Sequence, residues 1–324
     1  MSIYPIASIL LLVGLHFFIR LARRYQLVDR PNHRSSHNYE PVRGGGIVFV
    51  LAGLLWFMYE SYIAGPQNAL PYLISGFAAI ALVSFLDDLY TLPSRVRIMV
   101  HAMAVVLLAY QLQIELPWYL WMLGGVFFLG WVNAFNFMDG INGLTALYTA
   151  ITLISLLVVN YFFVSFTSSD LLSLLLIATG IFTWFNFRKK ALCFAGDVGA
   201  ISMAFLLGYF LVHLILTTGD LSFILMVVVY AVDAVGTIIE RLIKKEAIFQ
   251  PHRLHLYQLY ANEKGVDHRV VSVGYALTQL LINAIILWNY QTNQSSLIPA
   301  SLFLIVVAAY TYLKIIKMKA FQGK

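Results

Sequence analysis

The sequence predicts an all-α integral membrane protein with about eleven transmembrane helices, and three observations support this fold class. Hydrophobic residues make up 60% of the 324-residue chain and charged residues only 11%, far outside the range of soluble domains. Apolar runs long enough to span a bilayer recur from one end of the chain to the other. Lysine and arginine lie in or beside the odd-numbered loops and at the C-terminus, and the even-numbered loops contain neither.

We expect the apolar runs to form helices, because lipid leaves unpaired backbone groups unsatisfied and the runs are too long and too uniformly apolar for barrel strands. Several runs are short or interrupted, so ten spans stay an alternative to eleven. We expect one polytopic domain over residues 1–324, without a separate soluble domain. The expected spans are 3–22, 45–63, 70–86, 97–113, 117–134, 144–163, 170–187, 198–216, 221–240, 270–290 and 297–317.

The loops predict the orientation in the membrane. Those reading GPQNALP, QLQIELP, VSFTSSD, TTGDLS and NYQTNQSS lack lysine and arginine, which lie in the loops between them. Since cytoplasmic loops are enriched in these residues, we expect the N-terminus outside and the C-terminus inside, in the inner membrane of a bacterium. The same distribution explains the net charge of +6 and argues against a nucleic-acid partner. The first span lacks a basic leader and a small-residue cleavage site, so we expect no cleaved signal peptide there.

The first inner loop ends in three consecutive glycines, Gly44 to Gly46, directly before a span. Glycine lets backbone approach a ligand closely, and exposed N–H groups at a helix start suit a phosphate. Arg43 and Arg34 would add positive charge there. A flexible turn into the second span is the alternative.

The third span ends in two adjacent carboxylates, Asp87 and Asp88. Carboxylates are expensive at a span end if they lose water, and adjacent ones suit Mg²⁺ together with a phosphate ligand. In the alternative interpretation they form a solvated helix end and pair with Arg95 and Arg97.

Two further motifs follow on the same side. Asn133, Asn136, Asp139 and Asn142 recur every three residues, so that neighbouring members would share one face of a helix. Helix capping explains one such residue but not four. Asp197 lies between two glycines at the mouth of a span, which suits a metal-binding carboxylate, although Gly-Asp is also ordinary turn chemistry.

The inner loop after the ninth span carries the last motif. His252 and His255 lie three residues apart with Arg253 between them, and cationic imidazole and guanidinium groups suit a diphosphate. A zinc site is disfavoured because it would need further ligands and Cys193 is the one cysteine. Asp233, about 12 Å inside the preceding span at 1.5 Å per residue, is a functional candidate because of its depth.

Together these motifs resemble those of the polyprenyl-phosphate N-acetylhexosamine-1-phosphate transferases, a family of the glycosyltransferase family 4 type. The resemblance covers Arg34 to Gln258 and is nearest to the branch that initiates lipopolysaccharide O-antigen. The matching motifs in chain order are Arg34 to His37 with Pro41 to Gly46, Asp87-Asp88, Asn133 to Gly140, Phe194 to Asp197, and Pro251 to Gln258.

The resemblance implies a Mg²⁺-dependent transferase, with Mn²⁺ as a substitute metal. Such an enzyme moves N-acetylhexosamine-1-phosphate from a UDP-sugar to undecaprenyl phosphate at the cytoplasmic face, releases UMP and initiates a cell-surface glycan. The implied partners are undecaprenyl phosphate, UDP-N-acetylhexosamine and the lipid bilayer. A homodimer stays open.

The resemblance also implies roles for single residues. Asp197 ligates the metal, and Asp87 and Asp88 handle the lipid phosphate, one of them as base or nucleophile. Direct attack and a covalent aspartate intermediate both stay open. The other implied contacts are pocket lining by Asn136 and Asp139, stacking on uracil by Phe194, nucleotide binding by Asn186, and diphosphate binding by His252 and His255.

The chain departs from the family pattern at a few positions. Asn142 replaces a common second aspartate, so we expect it not to be an essential metal ligand. Ala200 replaces a usual serine. The loop before Asp197 is one residue longer and lacks a common proline, which weakens the assignment of Asn186. A phospho-MurNAc-pentapeptide transferase is the second candidate, disfavoured because a triple-histidine stretch is missing from the sequence. A transporter is the third, disfavoured because most polar motifs lie at one face and not at the midplane.

Overall fold

The computed structural model describes residues 3–31, 36–246, 253–293 and 295–322, with side chains as far as residue 316. In these residues the regular structure is helical, and extended pairing is limited to two isolated bridges. The predicted all-α membrane fold is confirmed. The helices are α1 (Tyr4–Arg24), α2 (Ile47–Ala64), α3 (Pro71–Tyr90), α4 (Ser94–Gln111), α5 (Trp118–Phe137), α6 (Leu144–Phe162), α7 (Ser169–Asn186), α8 (Gly196–Thr218), a 3₁₀ helix (Leu221–Val227), α9 (Val228–Ile243), α10 (Leu256–Gln258) continuing as a π-helix (Leu259–Glu263), α11 (His268–Thr292) and α12 (Leu297–Gln322).

Ten helical segments of the described chain are long and apolar enough to cross a membrane. The expected span 97–113 is α4, which carries Arg95, Arg97 and His101 and is not among the ten. Helix α4 nevertheless runs antiparallel along α3 for its whole length. The side-chain oxygen of Gln111, at the end of α4, accepts hydrogen bonds from the N–H groups of Tyr72 (3.1 Å) and Leu73 (3.4 Å) at the start of α3. Packing against α3 therefore carries this more polar helix across the bundle.

The ninth span is broken where the 3₁₀ helix meets α9, and polar side chains satisfy the break. Gln279 Oε1 accepts hydrogen bonds from Val229 N at 3.1 Å and from the Tyr148 hydroxyl at 2.6 Å. Tyr230 N donates to the same Tyr148 hydroxyl at 3.3 Å. Free N–H groups at a helix start are expensive in an apolar interior. This break is therefore repaired by protein groups and leaves little backbone free for a transported solute.

The bundle is organised around α8. Of the apolar segment of α8, 83% is buried, whereas the figure for α12 is 6%. The Gly-Asp motif forms the first turn of α8, so it is attached to the most buried of the ten segments. Helix α12 lies at the periphery.

Candidate functional site

The motif-bearing loops meet at one end of the bundle, which we call the motif end: residues 25–31, 36–46, 138–143, 187–195 and 253–267. Val42 forms bridges to both Val28 and Cys193. The side chain of Asn142 donates to the Tyr39 hydroxyl at 2.8 Å. These contacts bring motifs that are far apart in the sequence into one region, as expected from the distribution of basic residues.

The glycines of the first loop allow α2 and α8 to approach each other closely. A Cβ atom on Gly46 would lie 2.2 Å from the Cα of Gly199, and one on Gly45 would lie 2.5 Å from the sulfur of Cys193. The N–H groups of Gly45 and Gly46 donate to the carbonyl groups of Phe194 (2.7 Å) and Ala195 (3.0 Å). These two N–H groups thus bond to the loop between α7 and α8. The glycine run therefore allows close packing and does not form a flexible turn.

Asp88 anchors the start of α8. One oxygen of Asp88 lies 2.7 Å from Nε of Arg43. Its two oxygens also accept hydrogen bonds from the backbone N–H groups of Asp197 (3.1 Å) and Val198 (3.0 Å). A carboxylate at this position satisfies free N–H groups and favours the positive end of the helix dipole. With only 4% of its side chain exposed, Asp88 is firmly held.

Asp87 is held by fewer groups. It accepts a hydrogen bond from Leu92 N at 2.6 Å and forms an ion pair with Arg97. Nη1 of Arg97 also lies 3.5 Å from Asp197 Oδ2. Arg97 was considered from the sequence only as a pairing partner for the two aspartates. The structure shows that it joins Asp87 to Asp197. Arg97 and Asp197 are 100 residues apart in the chain, so sequence spacing did not indicate this second contact.

Asp197 is the carboxylate of this cluster with the loosest contacts. Its polar side-chain neighbours lie at 3.4 Å (Asn136 Nδ2), 3.5 Å (Arg97) and 3.8 Å (Arg43). Its side chain is 16% exposed, more than that of either Asp87 or Asp88. Its oxygens are therefore the ones most available to a ligand.

The asparagine–aspartate stripe divides between two tasks. Asn136 points at Asp197, and Asp139 is partly exposed nearby, with burial raising the pKa of its carboxyl to about 6. Asn142 is buried and donates to the carbonyl of Arg188 at 2.7 Å. This amide ties three loops together, in keeping with the expectation that it is not an essential metal ligand.

The two residues expected to contact the nucleotide differ in accessibility. The Phe194 ring is partly exposed and packs edge-on against His37 at a centroid distance of 5.0 Å. Asn186 is buried; its amide oxygen accepts from Gly143 N (2.7 Å) and its amide nitrogen donates to the carbonyl of Cys193 (2.9 Å). Asn186 thus shapes the loop that presents Phe194, and a direct contact with nucleotide would require one of these bonds to open.

A polar cavity of about 580 Å³ lies beside Phe194 at the motif end. The chain brings a cationic side chain from each of two loops to this cavity, together with aromatic and amide groups. Its lining includes His37, Tyr39, Lys189, Arg253, Asn262 and His268. Of the expected diphosphate-binding residues, Arg253 is here, whereas His252 lies outside the described residues.

His255 faces the protein interior. Its side chain is 3% exposed, and its Nδ1 lies 3.6 Å from Oδ1 of Asp233. The same oxygen of Asp233 accepts a hydrogen bond from Leu256 N at 2.9 Å, and the other accepts from the Tyr275 hydroxyl at 2.7 Å. The deep aspartate of the ninth span is therefore an anchor for the loop that carries Arg253, a link that sequence spacing alone does not reveal.

Comparison with known proteins now bears on this geometry. Residues 70–215 match the family model described as glycosyl transferase family 4. Over 311 residues, the chain is 27% identical to a probable undecaprenyl-phosphate N-acetylglucosaminyl 1-phosphate transferase of Bacillus subtilis (strain 168), covering 89% of this chain and 83% of that protein. The predicted family is confirmed.

Two further relatives come from different branches of this family. An undecaprenyl-phosphate alpha-N-acetylglucosaminyl 1-phosphate transferase of Thermotoga maritima is 26% identical over 251 residues, which cover 75% of this chain and 76% of that protein. A phospho-N-acetylmuramoyl-pentapeptide-transferase of Lactococcus lactis subsp. cremoris is 23% identical over 267 residues, covering 72% and 78%.

The family resemblance implies Mg²⁺, and the donor set of the cluster fits that ion. Carboxylate and amide oxygens are hard ligands, and Mg²⁺ is usually held by one or two carboxylates, with substrate phosphates and water completing its shell. Three carboxylates here share two guanidinium groups. Among the described residues, three metal-ligating side chains do not gather around one point.

Proposed function

We propose that this chain transfers N-acetylhexosamine-1-phosphate from UDP-N-acetylhexosamine to undecaprenyl phosphate at the cytoplasmic face of a bacterial inner membrane, releasing UMP. One observation carries the proposal: an arginine-bridged cluster of three carboxylates lies at the same end of a membrane bundle as a cationic polar cavity. A water-soluble nucleotide and a membrane-held phosphate would meet there. The similarity to two undecaprenyl-phosphate N-acetylglucosaminyl 1-phosphate transferases supports this substrate pair.

The reaction must bring an anionic lipid phosphate to an anionic diphosphate, so charge is the main obstacle. Bound Mg²⁺, held by Asp197, would neutralise charge on the phosphoryl groups as they react. Arg43 and Arg97 are partly exposed, with 40% and 33% of their side chains accessible. They can therefore contact an incoming phosphate while they keep their aspartate partners.

The two adjacent aspartates take different roles in this proposal. Asp87, held by one turn N–H and the accessible Arg97, orients or deprotonates the lipid phosphate. Asp88 keeps the start of α8 and Arg43 in place. Only 7% of the side chain of Asp87 and 4% of that of Asp88 are exposed, which favours direct attack by the lipid phosphate over a covalent aspartate intermediate.

The nucleotide half of the substrate belongs in the polar cavity. Phe194 presents a partly exposed ring for the uracil base, and Arg253 supplies a guanidinium for the diphosphate. Asn136, whose amide lies 3.4 Å from Asp197, would line the pocket together with Asp139. Asn186 contributes by holding the loop that carries Phe194.

The test is turnover by the purified protein in lipid nanodiscs with undecaprenyl phosphate, Mg²⁺ and a panel of UDP-sugars, scored by UMP release. We expect release with a UDP-N-acetylhexosamine and none with UDP-MurNAc-pentapeptide. Turnover only with the pentapeptide substrate would establish the second candidate, and no turnover with any UDP-sugar would overturn the proposal. UMP release without the lipid acceptor would indicate a covalent intermediate rather than direct attack.

A further inference from the structure

The peripheral helix α12 contains a lysine that is buried within its predicted span. Although only 6% of the apolar segment of α12 is buried, Lys314 is 5% exposed. Its ammonium group lies 2.9 Å from Oε2 of Glu240 and donates to the hydroxyl groups of Thr237 (2.7 Å) and Tyr310 (2.8 Å). A lysine buried within a span is unfavourable unless its ammonium group is paired.

From Lys314 the polar contacts continue to Asp233. The Thr237 hydroxyl donates to Oδ1 of Asp233 at 3.4 Å, and the Tyr310 hydroxyl donates to the backbone carbonyl of Asp233 at 3.3 Å. Helix α12 is thereby connected to Asp233 at two atoms: Thr237 reaches the carboxylate, which also accepts from Leu256 N, and Tyr310 reaches the backbone carbonyl. Buried polar chains of this kind restrict orientation because each member is costly to leave unpaired.

The loop beyond Asp233 is fixed at a second point close to the carboxylate cluster. The Tyr257 hydroxyl donates to the carbonyl of Phe137 at 2.9 Å. A Cβ atom on Gly140 would lie 2.1 Å from that hydroxyl, so the ring packs directly on the Asn–Asp motif. Arg253, which lines the polar cavity, precedes these two anchor points by only a few residues.

We propose that Lys314, Glu240, Thr237 and Tyr310 are positioning residues for the loop that presents Arg253 to the nucleotide sugar. They act through Asp233 and touch neither substrate. This inference rests on the proposed function for its kinetic consequence, while its structural consequence stands by itself. Helix α12 thus contributes to substrate binding from the far side of α9.

The main variant is Lys314→Met, which removes the charge while Glu240 keeps its ion pair with Lys244 at 2.6 Å. Tyr310→Phe is the milder variant, because its ring still packs on Gly236, where a Cβ would lie 2.5 Å from the ring. Thr311→Val is the matched control, since the Thr311 hydroxyl is exposed and bonds only within its own helix, to the carbonyl of Val307. Lys314→Arg is the conservative variant, because it keeps a positive charge beside Glu240.

The first measurement is hydrogen–deuterium exchange in nanodiscs without any substrate. We expect Lys314→Met and Tyr310→Phe to accelerate exchange in residues 253–263 and to leave exchange in α8 unchanged. The control Thr311→Val should exchange like the unmodified protein throughout. Unchanged exchange in 253–263 for both variants would overturn the proposal, as would acceleration spread evenly over the bundle. If Lys314→Met does not fold, Tyr310→Phe decides by the same criterion.

The second measurement is steady-state kinetics. Interactions that act at a distance typically change coupling by about 0.5–2 kcal/mol, so we expect the KM for the nucleotide sugar to rise about 2- to 30-fold. The KM for undecaprenyl phosphate should change less than about twofold, and Lys314→Arg should show a smaller loss than Lys314→Met. Equal increases in both KM values would overturn the positioning role. Lack of turnover in the unmodified protein would instead refute the proposed function, with the exchange measurement still deciding the structural role.

Discussion

The carboxylate group of the motif end and the single carboxylate of Asp233 are held in opposite ways. At the motif end, Asp87, Asp88 and Asp197 share two partly exposed arginines, and the guanidinium nitrogens lie 3.5 Å and 3.8 Å from the side-chain oxygens of Asp197. Within the ninth span, Asp233 is 1% exposed, and both of its oxygens accept hydrogen bonds shorter than 3 Å. The first group retains contacts that a substrate or metal can replace. The second is closed, and its contacts hold a loop in place.

This difference indicates that depth in the membrane is a poor guide to chemical function in this chain. A buried ionisable residue in a span is a functional candidate by default, yet Asp233 has its partners already inside the protein. The three carboxylates at the span ends share two partly exposed arginines instead. Loose contacts therefore indicate the candidate reactive cluster better than burial does.

The largest effect is expected at the loosest carboxylate. Asp197→Asn should lower kcat by about 10³-fold, because it removes the charge that we propose would hold Mg²⁺. Its thermal unfolding temperature should stay close to that of the unmodified protein. Asp170→Asn is the matched control, since Asp170 lies in the first turn of α7 and accepts from Tyr4. Full activity of Asp197→Asn in saturating Mg²⁺ would contradict the assignment.

The next test separates two neighbours. Asp87→Asn should lower kcat by about 10²–10³-fold with little loss of stability. Asp88→Asn should in addition lower the free energy of unfolding by about 1–2 kcal/mol, because it weakens both the hydrogen bonds to the start of α8 and the ion pair with Arg43. Activity assays and thermal unfolding of both variants check this. Equal stability of the two would remove the distinction between substrate-facing and supporting aspartate.

A smaller, selective effect is expected in the polar cavity. Arg253→Gln should raise the KM for the nucleotide sugar about 10- to 100-fold, as loss of a hydrogen bond between charged groups costs about 1.5–3 kcal/mol. The KM for undecaprenyl phosphate should change little. Arg24→Gln serves as control because Arg24 is exposed in the last turn of α1. A larger change in the lipid KM would move Arg253 from the nucleotide cavity to the lipid phosphate.

The last prediction leaves activity unchanged and tests the side of the membrane on which the reactive cluster lies. Burial raises the pKa of the Cys193 thiol to about 12, so its reactive thiolate is scarce at neutral pH. Introduced cysteines can therefore be labelled over a silent background. With a membrane-impermeant maleimide on whole cells, Gln67→Cys should react, whereas Lys190→Cys should react only after the membrane is opened. The reverse pattern would invert the predicted topology and place the cluster outside.

The sequence alone was sufficient for the helical membrane architecture, since a bilayer requires a minimum apolar length that can be read directly from the chain. It was less certain for α4, where Arg95, Arg97 and His101 interrupt the apolar run and packing against α3 compensates. The motif residues were recognised because carboxylates and glycines at span ends are chemically unusual. Their gathering at one end followed from the alternation of basic and neutral loops.

Tertiary structure assigned the partners of these residues. Arg97 joins Asp87 to Asp197, and Asp233 holds the loop of His255 across a separation of 22 residues in sequence. Such pairings depend on which helices pack together, and local periodicity carries no information about packing between distant segments. For the same reason, local sequence does not indicate that the ammonium group of Lys314, a basic residue near the C-terminus, lies buried against Glu240. The type of a side chain suggests its chemistry, but its neighbours determine whether that chemistry is available to a substrate or is used within the fold.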